Sequence, residues 1–358
     1  MSHHTYHALA AQGISRRQLV QTAAGGALAV TGAAALSLPK ASSAQDLTEV
    51  TLALDWYPNA NHAGIYMALD RGYFREVGLD VEVFTPADPT TVLQTVGAGR
   101  DTFGISYQND VLQARAQGVP VVSVAALVQH PLNSLMVLEE SGIESPADLE
   151  GKTIAMAGLP SDEAYIETIL QSVGLSIDDV EVVNVGYDLM PAVLSGRADA
   201  VIGVYWTHET ILAEQEGHPV RYFRIEEYGV PDYYELVLVT GEQTIAEQEE
   251  VVRSMLGALR KGYNAAMRAP EEALQLLLAA SPDLDEEVER EGLELLMPLW
   301  TDNGNVAFGT QTTERWESYA SWAVDQGFLA KGVDPQEAFR NDLFPPDDSA
   351  TPEASPVS

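Results

Sequence analysis

The chain contains no cysteine. That excludes disulfides, thiolate metal sites, cysteine nucleophiles and a lipidated N-terminal cysteine together. Basic residues are also scarce, with 19 Lys and Arg against 53 Asp and Glu. Lysine is confined to Lys40, Lys152, Lys261 and Lys331. A formal charge of -34 argues against a nucleic-acid partner, whose phosphates need a basic face. It suits a solvated acidic surface, and a sharper version of that reading is adaptation to high salt. No G-x-G-x-x-G, Walker loop, G-x-S-x-G or H-E-x-x-H occurs, and "VGAGR" reads as a helix end, so the motif-borne chemistries have no foothold here.

What is present begins with an address. "SRRQLV", with Arg16 and Arg17, precedes a bland Gly- and Ala-rich apolar stretch and then "ASSA" ending at Ala44. A twin arginine, a weakly hydrophobic middle and small residues before a cut predict a Tat-type export signal over residues 1–44, removed after Ala44. The protein is therefore expected outside the cytoplasm, periplasmic or extracellular, held near its membrane by a permease or by an uncleaved signal. The signal holds three basic residues and no acid, so the mature chain is more acidic still.

From Glu49 on, strand-like and helix-like runs alternate. "EVTLALDW", "LDVEVFTP", "DTFGISY" and "PVVSVAALV" read as strands, and the runs between them, such as "HAGIYMALDRGYFREVG", repeat apolar residues at helical spacing. A similar unit begins at "KTIAMAG" and ends near "ADAVIGVYW"; after one more strand in "YYELVLVTGEQTI" nearly everything is helical. This pattern predicts an α/β protein of two lobes, each a mixed, mostly parallel sheet flanked by helices. The expected boundaries are 46–138 for the first part of lobe one, 139–238 for lobe two, 239–344 for a mostly helical return to lobe one, and 345–358 for a disordered tail. The 358 residues, 46% apolar, suffice for two cores.

Open α/β sheets place ligands beyond the carboxyl ends of their strands, so the residues there are the informative ones. Asp55, Trp56, Asn59 and His62 follow the first strand, and Ser106, Tyr107, Gln108 and Asn109 the third. In lobe two, "AGLPSDEAY" opens a helix whose backbone N–H groups can receive an acceptor or anion, and Tyr205, Trp206, His208 and Glu209 follow "ADAVIGV". Tyr165 and Tyr187 complete the candidate ligand-binding set. Aromatic rings, amides and carboxylates without Lys or Arg suit a neutral or amine-bearing heteroaromatic ligand. Several of these residues have a structural alternative: Trp56 and Trp206 as late core positions, Asp55 as a helix cap, His62 as a cap or backbone partner. Tyr233, Tyr234 and Glu235 fall where the chain returns between lobes and suit hinge or packing roles as well as contact. His208 and Glu209 lack a third ligand nearby, which disfavours a metal.

The stretch "LDWYPNANHAGIYMALDRGYFREVGLDV" resembles the opening of the NMT1/THI5-like family. The resemblance continues through "VLQTVGAGRDTFGISYQNDVLQARAQGVPVVSVAAL", "DLEGKTIAMAG" and "AVLSGRADAVIGVYWTHE". It implies a two-lobed type II periplasmic-binding-protein fold with the ligand cleft and a hinge between lobes. It also implies a substrate-binding protein of an ABC importer, a monomer that takes a thiamine pyrimidine precursor to a membrane permease without a cofactor. On that resemblance Trp56, Asp55, Asn59 and His62 form the lobe-one motif, and Glu209 is the lobe-two carboxylate that bonds the pyrimidine amine. A flavin-binding subgroup is the alternative within the family. Pyrimidine synthases are a further branch, in which the histidine matching His62 is consumed. Those carry a cysteine-rich motif and a lysine for pyridoxal phosphate, whereas this chain has no cysteine and no lysine between Lys40 and Lys152. Binding, not catalysis, is expected.

Overall fold

The computed structural model describes residues 47–346, apart from positions 160 and 187. The export signal expected at 1–44, the tail from 347 onward and Tyr187 lie outside the described residues. Two five-stranded sheets organise the rest. The first contains β1 (Thr48–Ala53), β2 (Leu79–Phe84), β3 (Phe103–Ser106) and β4 (Val121–Val128). The second contains β5 (Asn133–Leu138), β6 (Thr153–Met156), β7 (Glu181–Asn184), β8 (Ala200–Tyr205) and β9 (Val220–Arg224). β10 (Leu236–Gly241) returns to the first. The strand orders are β2-β1-β3-β10-β4 and β7-β6-β8-β5-β9.

The two sheets repeat one plan. β1 runs parallel to β2 and β3, and β6 runs parallel to β7 and β8. The fourth strand of each sheet is antiparallel and comes from the other lobe: β10 pairs with β3 and β4, and β5 with β8 and β9. A chain crossing from lobe to lobe enters its new sheet from the opposite end, which sets that direction. The crossings are 129–132, between β4 and β5, and 225–235, between β9 and β10. β5 thus belongs to the second sheet, although the expected boundary after residue 138 put it with the first lobe. The sequence marks the crossing with Gln129, His130 and Pro131, set between the apolar runs "VVSVAALV" and "LMVL".

The crossings are tied to one another. His130 Nδ1 lies 3.0 Å from Asp232 Oδ1, and Glu235 Oε2 accepts from the Leu132 N–H at 2.7 Å. β4 is buried along its whole length, as befits a strand covered on both faces. One apolar cluster joins the first sheet to the C-terminal helices, with Leu52, Ile65, Leu259, Tyr263 and Trp300 among its members. A second runs through both sheets.

The helix Ala63–Asp70 packs closely on the helix Glu249–Arg268. A Cβ on Gly64 would sit 2.4 Å from the Tyr263 ring, and one on Gly262 would sit 2.3 Å from the Gly64 carbonyl oxygen. Only glycine permits that approach. It brings the Tyr263 hydroxyl to donate to the Asn61 carbonyl at 2.9 Å, which anchors the turn Ala60–His62 from below.

Candidate ligand-binding cleft

In each sheet one strand, β1 or β6, lies between two parallel neighbours, the arrangement in which open α/β sheets form a crevice at their strand ends. Asp55 follows β1 and Tyr107 follows β3, which places them side by side. The buried Asp55 carboxylate accepts from the Tyr107 hydroxyl at 3.0 Å and lies 2.9 Å from His62 Nε2. His62 Nδ1 accepts from the Asn59 N–H at 3.1 Å. That network assigns the proton to Nε2, which donates to Asp55. Asn59 caps the turn by accepting from the Asn61 N–H. Both ring nitrogens of His62 are therefore engaged, and the ring is fully buried. Burial and the Asp55 charge raise the Tyr107 phenol well above its ordinary range, so it remains a donor.

In the second lobe the Tyr205 hydroxyl donates to Glu235 Oε1 at 2.9 Å. Glu209 Oε2 accepts from the Tyr205 N–H at 2.8 Å, and Glu209 Oε1 lies 3.3 Å from His208 Nδ1. The Tyr205 phenol is raised by burial and by the charge of Glu235. Glu235 accepts from the Tyr233 hydroxyl at 3.0 Å as well as from Leu132 N–H, and burial pushes its carboxyl up to about 7. Each lobe thus holds a phenol against a buried carboxylate near its strand ends, Tyr107 with Asp55 and Tyr205 with Glu235.

A family signature described as NMT1/THI5 like matches residues 59–273. The chain belongs to the NMT1/THI5-like family. It is 40% identical over 316 residues to a formylaminopyrimidine-binding protein of Halalkalibacterium halodurans, covering 87% of this chain and 96% of that one. It is 27% identical over 250 residues to a 4-amino-5-hydroxymethyl-2-methylpyrimidine phosphate synthase of Saccharomyces cerevisiae, covering 67% of this chain and 73% of that one. Among solved structures, the periplasmic aliphatic sulphonate binding protein of Escherichia coli superposes with a TM-score of 0.66 at 16% identity, over 81% of this chain and 91% of that one. This last likeness concerns the fold alone, which is the two-lobed type II periplasmic-binding-protein fold.

Within this family member the structure does not bring every candidate to the strand ends. Trp56 does lie there, 40% exposed, with Tyr57 packed edge-on at 5.9 Å. Ser106 is buried at the end of β3. Gln108 is buried and turned toward the second crossing, where its Oε1 accepts from the Tyr234 N–H at 2.8 Å. Tyr165 is enclosed among aromatic rings, stacked near Tyr233 and Trp322, with its hydroxyl 2.8 Å from that of Tyr319. Trp206 is buried in the lobe-one apolar cluster, donates Nε1–H to the Pro131 carbonyl at 3.2 Å and stacks near Tyr222. The Arg224 guanidinium lies 4.6 Å from the centre of its ring, so a cation is nearer than the expected inventory allowed.

The helix opening after β6 was expected to receive an acceptor, and the chain supplies its own. Asp162 accepts from the N–H groups of Gly158 and Leu159, both at 2.9 Å. Two open depressions, of about 260 and 220 Å³, lie along the helix Thr313–Asp325 and around residues 330–337 and contain none of the strand-end residues. Among the described residues no group of three or more His, Cys, Asp or Glu is arranged to hold a metal ion.

Two buried carboxylates near the strand ends stand outside the candidate set. Glu235 was legible as a hinge, packing or contact residue where the chain returns between lobes. Glu289 had no such signal. It sits in the acidic helix Glu286–Leu296, yet it is buried and its Oε2 accepts from the Ala60 N–H at 2.6 Å.

Proposed function

We propose that this chain is an extracytoplasmic solute-binding protein of an ABC importer, capturing a thiamine pyrimidine precursor of the formylaminopyrimidine or hydroxymethylpyrimidine type. What carries the reading is a tyrosine hydroxyl held by a buried carboxylate at the strand ends of each lobe, Tyr107 by Asp55 and Tyr205 by Glu235, with Glu209 on the Tyr205 N–H, in a chain 40% identical to a formylaminopyrimidine-binding protein along nearly all of that protein's length. Asp55 and Glu209 offer acceptors to a ring amine. Tyr107 and Tyr205, whose O–H groups are given to Asp55 and Glu235, offer their hydroxyl oxygens as further acceptors. Trp56 offers an apolar face, worth about 0.5–1.5 kcal/mol in a stacked pair beyond area burial. Ser106 and Gln108 support the lobe-one strand end from behind. The lobes close on the ligand about the crossings 129–132 and 225–235, and the closed form meets a membrane permease.

The chain acts by binding and does no chemistry on its ligand. His62 has both ring nitrogens occupied by Asp55 and Asn59, which suits a rigid scaffold better than a reagent. Among the described residues, Lys152 and Lys261 lie beside Asp199 and Glu76 on the surface and Lys331 is exposed in the C-terminal segment, so none of these lysines stands at the strand ends to hold a Schiff-base cofactor. The twin-arginine segment supports export by the Tat route. No helix among the described residues is long and apolar enough to cross a membrane.

The test is calorimetric titration of the mature protein with formylaminopyrimidine and with 4-amino-5-hydroxymethyl-2-methylpyrimidine, alongside mass spectrometry of whatever co-purifies. Saturable heat and a raised melting temperature are expected. No heat and no thermal shift with either compound would overturn the pyrimidine reading, and release of a fluorescent yellow chromophore on denaturation would replace it with the flavin one.

A further inference from the structure

The loop after β8 and the helix Glu286–Leu296 meet across the two lobes, and several independent features converge on that contact. Trp206 from lobe two lies in the lobe-one cluster with Ala60, Leu293 and Leu296. A Cβ on Gly292 would stand 2.8 Å from the Thr207 carbonyl oxygen, so the helix backbone approaches the loop more closely than any other residue would permit. Next to it His208 lies between two carboxylates, 3.3 Å from Glu209 Oε1 and 3.5 Å from Glu289 Oε1. Glu289 is almost fully buried and its second oxygen holds the Ala60 N–H, the first residue of the turn that also contains His62. Glu209, at its other oxygen, holds the Tyr205 N–H. An unbroken polar chain therefore runs from the lobe-one turn, through Glu289 and His208, to the lobe-two carboxylate and the end of β8.

We propose that Glu289 and His208 are positioning residues of the ligand site, a carboxylate of one lobe and an imidazole of the other that engage when the lobes meet and set Glu209 against the Asn59–His62 turn. This rests on the reading of Glu209 as the acceptor of the ligand's amine. Neither residue touches the ligand. Glu289 needs the His208 cation because a buried carboxylate left with one backbone donor is costly, and His208 holds the Glu209 carboxylate in one orientation because it is shared between the two acids. Closing the lobes completes the triad, and opening them leaves Glu289 facing Ala60 alone.

The experiment uses a double-mutant cycle in the mature protein: H208Q, E289Q and the pair together. Glutamine at 289 keeps an oxygen for the Ala60 N–H and replaces the charged acceptor facing His208 by a neutral NH2 donor. Two readouts are taken. The first is affinity and dissociation rate for 4-amino-5-hydroxymethyl-2-methylpyrimidine. The second, needing no ligand, is the distance between fluorophores on cysteines introduced at Glu82 and Glu181, exposed positions on the outer strands β2 and β7; the absence of native cysteine makes the labelling specific. Each single variant is expected to weaken binding about tenfold or more, mainly through faster dissociation, and to lengthen the mean interlobe distance. The double variant is expected to match either single one, because both remove the same link. Losses that multiply, or single variants with wild-type affinity and wild-type distance, overturn the proposal. If the wild type binds no pyrimidine, the functional reading fails, and the interlobe distance still decides whether His208 and Glu289 engage: longer in the variants supports the link, unchanged refutes it.

Discussion

Replacing Glu235 by glutamine removes a carboxyl that the fold holds in an expensive place, and the pH dependence of stability should show it. Glu235 is 3% exposed and accepts from Tyr205 OH, Tyr233 OH and Leu132 N–H. Those donors lower its pKa, but burial outweighs them and raises it from 4.5 to about 7. The folded protein therefore binds more protons than the unfolded chain between pH 4.5 and 7, so stability falls as pH rises through that window. The shift is about 2.5 units, and at 1.36 kcal/mol per unit the loss amounts to about 3 kcal/mol. Glu235→Gln cannot titrate and should not show this component. Asp110 and Asp162, each raised to about 6 by burial, titrate nearby but are present in both proteins and cancel in the difference. Urea unfolding of wild type and variant at half-unit steps from pH 4.5 to 8 gives the two curves. The variant should gain on the wild type by about 3 kcal/mol across the range. A difference that stays flat with pH would mean that Glu235 carries no extra proton in the folded state, and the reasoning from burial would fail.

Trp56→Ala and Glu209→Gln should each weaken pyrimidine binding at least tenfold by calorimetry, and Trp56→Ala should leave the thermal midpoint of the free protein nearly unchanged because its side chain is partly exposed, whereas Glu209→Gln also removes a charge beside His208. Wild-type affinity in both variants would place the ligand elsewhere. For His208 burial works against the charge, yet Glu209 and Glu289 raise it from 6.5 to about 10; its contribution is fully present below pH 6.5 and is lost as pH rises through about 10. Wild type should therefore lose stability between pH 7 and 10 that His208→Gln does not, measured by chemical denaturation. Gly64→Ala should destabilise by about 1–3 kcal/mol, the usual cost of overpacking, because its Cβ would meet the Tyr263 ring at 2.4 Å; an unchanged urea midpoint would show that the ring moves aside freely.

The class of fold was legible in the order of periodic segments. Strands such as "EVTLALDW" and "KTIAMAG" announce themselves by apolar alternation or by short apolar runs between turns, since a strand buries alternate side chains or both faces. The lobe-one motif was legible as well: Asp55, Asn59 and His62 meet locally, through hydrogen bonds spanning at most seven residues. What remained hidden depends on long separations. β5 is set off from β4 by Gln129, His130 and Pro131, but only its pairing with β8 and β9 assigns it to the second sheet. Tyr165 and Trp206 have the composition of ligand walls, but the rings that cover them come from distant segments, Tyr319 and Trp322 in one case and Tyr222 in the other.

Sequence alone therefore determined the absence of thiol chemistry, the acidic surface, the alternating α/β order and the family. These are properties of residue type, short-range spacing and matched motifs, which survive without a third dimension. Tertiary structure alone decided which carboxylates are buried. Glu289 lies among the acids of one helix, and no local pattern distinguishes it. It becomes distinct because helix packing buries it against Ala60 and His208, 229 residues from the first of them in sequence. A buried charge must find its partners, and those partners are chosen by the fold.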